Sequence, residues 1–171
     1  MSKFRNCLCL FALAGFLAGC DRAGTEDRLK AAMDLIGSQY GYVLQYYDVS
    51  YETGGDATLK ATSKGRGSRV LWMREPEKCR FVLVQQPESA DMNEASFDFN
   101  KLRKAEVYTT ISGTRRLVYL TGEDNGYTVH TQGSRDQSDK KAPIANLVPV
   151  EVPEFLERVT AFQEKMCGIK P

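Results

Sequence analysis

Nucleophilic or acid–base chemistry needs a thiol, hydroxyl or imidazole with a partner in hydrogen-bond reach, and these 171 residues carry five cysteines and one histidine from which to build such a pair. His130 is the sole histidine, and in GYTVHTQ it alternates with Tyr127 and Val129. A strand there would put it on a polar face beside Thr128 and Gln132, the setting of a surface or cross-strand histidine. A nucleophile pair of His130 with Cys79 would require that thiol to be free. Carboxylates are plentiful, but no spacing singles out an acid and a base. KGRGSR, residues 64–69, carries Gly65 and Gly67 as a phosphate loop would. Val70, however, stands where the third glycine of GxGxxG falls, and no Lys-Ser/Thr pair follows. The sequence therefore predicts a chain that is not an enzyme, with no catalytic residue, metal or cofactor.

The five cysteines are not equivalent. Cys20 sits in LAGCDR, behind three small or apolar residues and ahead of Asp21. Upstream, Lys3 and Arg5 precede an apolar run of 13 residues, from Cys7 to Gly19. Positive, apolar and small-residue segments in that order are the layout of a secretory signal. The run is too short to span a bilayer, which takes about 20 residues. Leu17-Ala18-Gly19-Cys20 closely resembles the lipobox of bacterial lipoproteins. That resemblance covers residues 1–20 alone. It implies cleavage of residues 1–19 and acylation of Cys20, the first mature residue, which would tie the chain to a lipid bilayer. Two or more acyl chains anchor stably where one anchors marginally. Asp21 resembles the inner-membrane retention signal of enteric bacteria. The expected site is thus the inner membrane facing the periplasm, with the outer membrane as the alternative.

Without residues 1–19 the chain has 152 residues, one ordinary domain, in which 21 basic residues face 22 acidic ones. A balance of −1 is no footprint for nucleic acid, which draws a clustered positive excess. Once Cys7 and Cys9 leave with the signal and Cys20 is acylated, Cys79 and Cys167 are left. Two cysteines in an exported domain read most simply as one disulfide. Two free thiols, or a metal site with His130, are the competing readings.

Binding has one sequence candidate. Lys60, Lys64, Arg66 and Arg69 cluster around a glycine-bearing turn, with Arg74 just beyond. Such a turn could touch an anionic lipid or an envelope protein, each basic residue contributing about 1 kcal/mol near a charged surface. A solvated hairpin tip is the plainer reading. Trp72 follows the turn and reads as a core residue ahead of an exposed anchor.

The elements that must position these residues form an α+β pattern. Residues 20–25 read as a lipidated tether and 26–171 as a single globular domain. Thr25 can cap a helix with Glu26 and Asp27 in its first turn, and Leu29, Ala32, Met33 and Ile36 form one helical stripe. Residues 40–47 fit helix or strand. Beyond them come strand runs: around Val70, from Cys79 onward, and in AEVYTTI, RRLVYLT and GYTVHTQ. REPEK, Ser-Gly-Thr and Gly-Glu-Asp-Asn-Gly supply hairpin turns. SRDQSDKKAP, residues 134–143, reads as a mobile polar loop. Pro153 opens a last helix with Phe155, Leu156, Val159, Phe162 and Met166 on one face and Cys167 at its edge.

The expected fold is an N-terminal helix, a curved antiparallel sheet of hairpins, and a C-terminal amphipathic helix packed on the sheet, an order similar to PH-like domains. The expected role is a non-catalytic envelope binding or adaptor module. The alternative is an inhibitor of a cell-wall or other envelope enzyme. Lipoprotein inhibitors of that kind insert Ser-Gly loops into a cleft, which Ser112-Gly113-Thr114 resembles faintly, without the tyrosine expected beside it.

Overall fold

In a computed structural model, residues 13–37, 47–52, 58–63, 70–86, 93–131 and 136–170 are described. The fold is α+β. Among the described residues, helix α1 (Leu13–Gly37) leads into ten antiparallel strands, followed by a 3₁₀ turn at Pro149–Glu151, helix α2 (Val152–Phe162) and a π-helical turn at Gln163–Cys167.

The strands are β1 (Tyr47–Glu52), β2 (Thr58–Ser63), β3 (Val70–Glu77), β4 (Arg80–Gln86) and β5 (Asn93–Asp98). After them come β6 (Leu102–Thr109), β7 (Arg116–Gly122), β8 (Tyr127–Thr131), β9 (Gln137–Asp139) and β10 (Lys141–Leu147). They divide into a seven-stranded sheet, β1-β2-β3-β4-β5-β8-β9, and a three-stranded sheet, β10-β7-β6. The chain thus leaves the larger sheet after β5, makes the β6–β7 hairpin, returns as β8 and β9, and leaves again as β10.

Period-two alternation sends one side of each strand inward. Leu59 and Ala61 of β2, Leu71 and Met73 of β3, and Ala95 and Phe97 of β5 are buried in one core. The stripe on α1 and the Phe155, Val159 and Phe162 face of α2 close over it. Phe81, Phe99 and Phe162 join sheet to helix, with ring centroids 4.9 to 5.7 Å apart. Each such side chain, once buried, stabilises the fold by about 1.5–3 kcal/mol.

Two covalent or ionic clamps hold the helices down. Cys79, in the turn between β3 and β4, is bonded to Cys167 at the end of the π-helical turn, with S–S 2.05 Å and Cα–Cα 5.7 Å. Glu75 of β3 accepts from Arg28 Nε of α1 at 2.8 and 3.0 Å, and from the Cys79 backbone N–H at 2.7 Å. The Glu75 side chain is only 2% exposed and that of Arg28 12%. One carboxylate therefore ties α1 to the turn that carries the disulfide.

Several sequence expectations change. Helix α1 starts at Leu13, runs through Cys20 and Thr25, and includes residues 20–25 expected as a tether. Leucine and alanine, both good helix formers, recur along it, and it contains no proline to stop it. Thr25 is accordingly no cap; its hydroxyl accepts from Arg28 Nη2 at 2.9 Å. Residues 40–46 lie outside the described residues, and Tyr47 opens β1. REPEK does not form the turn: β3 runs on to Glu77, with a bulge between Arg74 and Glu77 that accommodates Pro76, which has no N–H to donate. The turn is Lys78–Cys79, and Cys79 adopts φ 62°.

The expected single curved sheet is two sheets, because Gly-Glu-Asp-Asn-Gly does not close a hairpin. Residues 122–126 carry the chain from β7 in the small sheet to β8, which pairs with β5. The polar segment 134–143, expected as a mobile loop, contains β9 and the start of β10. β9 is exposed throughout and is held by backbone pairing with β8, so no apolar pattern announces it.

Candidate functional site

The residues singled out from the sequence fall in three places. Cys20 lies within the backbone of α1. Among the described residues no helix is long and apolar enough to cross a membrane. Cys79 and Cys167 form the disulfide, which takes both sulfurs out of nucleophilic chemistry. Of the basic turn, only Lys60 is described; Lys64, Arg66 and Arg69 lie outside the described residues.

Lys60 belongs to a row of residues on the outer face of the large sheet. Register sets Lys60 beside Trp72, Trp72 beside Val84, Val84 beside Glu94 and Glu94 beside His130. Trp72 is half-buried here, since Leu71 and Met73 on either side of it take the core-facing direction. Thr58, Trp72, Arg74, Val84 and Glu94 line a shallow depression of about 330 Å³. Arg74 Nη2 donates to both Glu94 oxygens at 3.3 Å. Arg74 Nε is buried and has no hydrogen-bond partner among the described residues. The depression thus sets an indole beside an arginine and a carboxylate of opposite charge.

At the end of this row His130 Nδ1 lies 2.5 Å from Asp136 Oδ1, both side chains well exposed. The hydrogen bond to Asp136, its charge, and more weakly Glu94 raise the His130 pKa. The protonated imidazole is thus favoured in the folded chain. This contact stabilises the fold fully below the ordinary histidine range, about 6.5, and the stabilisation is lost as pH rises through the raised value. Asp136→Asn is expected to lower the His130 midpoint in an NMR titration; an unchanged midpoint would assign the shift elsewhere.

The Ser-Gly-Thr turn closes the β6–β7 hairpin, and the hairpin's most exposed apolar residue is the one before that turn. Ile111 is fully solvent-exposed at the tip. The loop beneath it is closed by Gly113 N–H to Thr110 O at 2.8 Å and Thr110 N–H to Arg115 O at 3.1 Å. Hydroxyl contacts Thr110–Ser112 (3.1 Å) and Ser112–Thr114 (2.8 Å) stiffen it further, and Arg116 Nη1 donates to Gly113 O at 3.0 Å. Gly113 has φ 72°, a conformation glycine adopts without strain. An isoleucine held out on an ordered loop, with Arg115 and Arg116 below, has little loop freedom left to lose if it is buried in a contact. Thr110, Ile111 and Ser112 could have been noticed as a hairpin tip with an apolar apex; the exposure itself had no sequence signal.

No family model matches the chain, and neither a curated protein nor a solved structure matches it significantly.

Proposed function

We propose that the chain is a membrane-anchored bacterial envelope lipoprotein that acts as a non-catalytic binding or adaptor module. The observation that carries the reading is Leu17-Ala18-Gly19-Cys20 behind a basic start and a 13-residue apolar run. Acylated Cys20 would hold the molecule at the inner membrane, in the periplasm, while Asp21 directs it there. The Cys79–Cys167 disulfide supports the reading, because such bonds persist in oxidising compartments. The outer face around Trp72 and the Ile111 tip are the surfaces for an envelope protein.

The hairpin gives the second reading its specific support. An ordered loop with a single apolar apex has the shape of an insertion element, as an inhibitor of an envelope enzyme would need. A photo-crosslinking residue in place of Ile111, activated in intact cells, separates the two. An abundant structural envelope protein in the adduct supports the adaptor. A single hydrolase supports the inhibitor. Absence of any adduct would remove the hairpin tip from the contact surface.

A further inference from the structure

Three backbone corners carry the chain between the two sheets, and they meet. Glu123 N–H donates to Lys101 O at 3.2 Å, and Gly122 N–H donates to Lys140 O at 3.0 Å. Gly122 permits this approach, for a Cβ there would lie 1.8 Å from Lys101 O. Segments about 20 residues apart in sequence are thereby fixed side by side. A cleft of about 400 Å³ opens over the seam, on the outer face of the small sheet.

Five cations line it: Lys101, Arg103, Lys104, Lys140 and Lys141. Register places Lys104 and Lys141 on either side of Thr121, about 10 Å apart at two strand spacings. The only carboxylates in the lining are Glu106 and Glu123. Glu106 is already engaged: it takes the Tyr108 hydroxyl, lies 3.5 Å from Lys141 Nζ and accepts from Thr121 Oγ1 at 3.3 Å. Lys141 is engaged too, donating to the Tyr108 hydroxyl at 2.7 Å. Among the described residues Lys101, Lys104 and Lys140 make no ion pair or side-chain hydrogen bond. Arg103 spends Nε on Asn100 O at 2.9 Å and keeps its terminal nitrogens.

Four cations against Glu123 leave a concentrated positive excess in a chain whose overall charge is near neutral. Like charges held together repel, and a multiply charged anion relieves that repulsion more than a single carboxylate can. Ammonium groups act as point charges towards phosphate and demand no forked geometry. We propose that this cleft binds a phosphate group, held by Lys101, Arg103, Lys104 and Lys140. The site rests on the seam geometry alone and stands whether or not Cys20 is acylated.

The phosphate could be free or part of a lipid headgroup, and two probes distinguish these. The full-length protein in neutral detergent is titrated with inorganic phosphate and with soluble dihexanoyl phosphatidylglycerol, with the phosphatidylcholine analogue as reference. Saturable binding of phosphate alone identifies a free-phosphate site, whereas binding of phosphatidylglycerol but not phosphatidylcholine identifies a headgroup site. In either case Lys104→Glu with Lys140→Glu should weaken binding by about tenfold or more, and added salt should weaken it as well. Lys165→Glu, on the π-helical turn, should leave it unchanged. Both reversed residues are exposed, and a near-UV circular dichroism spectrum and urea midpoint matching the wild type report that the variant still folds. No binding of either probe, or equal binding by the double variant, would overturn the proposal.

Discussion

Replacing Cys79 and Cys167 together with serine is expected to lower the unfolding free energy by about 4–5 kcal/mol. The bond joins residues 88 apart, and closing a loop of that size in the unfolded chain removes about that much conformational entropy. Against a total stability of about 5–15 kcal/mol, the loss is large enough to populate unfolded protein. Both residues are buried, and the turn bearing Cys79 is also pinned through Phe99 N–H to Cys79 O at 2.9 Å. The double variant should therefore keep the native arrangement near that turn when it does fold. Urea midpoints of the wild type with and without reductant, and of the double variant, check the figure. Alkylation of the denatured, unreduced protein should label neither Cys79 nor Cys167. Stoichiometric labelling of both would mean free thiols and would return Cys79 to consideration as a nucleophile.

Glu75→Ala should cost about 3–5 kcal/mol, because removing one partner of a buried ion pair strands the other charge. Arg28 would lose both of its bonds to Glu75, and the Cys79 N–H would lose its acceptor. Glu75→Gln keeps an acceptor for that N–H while removing the charge, so it should cost less. Arg28→Met combined with Glu75→Met removes both charges and should be milder than Glu75→Ala alone. Denaturant midpoints for the three variants give the order directly. A loss under about 1 kcal/mol for Glu75→Ala would show that Arg28 finds another partner or water.

The parts of this fold that were legible in the sequence are those that bury one face. Leu29, Ala32, Met33 and Ile36 marked α1, Phe155, Val159 and Phe162 marked α2, and each group is in the core. The pairing of Cys79 with Cys167 followed from counting cysteines and from the inward face of α2. β5 carries the same kind of signal, weakly, with Ala95 and Phe97 inward and Glu94 and Ser96 outward in a strand of only six residues. β9 had no signal, since an exposed edge strand is held by backbone pairing alone. The split into two sheets was equally silent: hairpin turns and corners use the same glycine and aspartate chemistry, and only long-range pairing separates them. The cleft has no sequence signal for the same reason. Lys101, Lys104, Lys140 and Lys141 are ordinary surface lysines in sequence, and only the three corners bring them together. The basic cluster that was visible, Lys60 with Lys64, Arg66 and Arg69, yields one described residue, on the outer face of β2.

Anchoring at the envelope depends on Cys20, and the mass of the mature protein tests it. Extracted from bacterial membranes and measured intact, the protein should lack residues 1–19 and carry the added mass of acyl chains on residue 20. Cys20→Ala should then abolish the processing and release the chain from that acyl anchor. A wild-type protein recovered with Met1 or unmodified Cys20, free of membrane, would contradict the account.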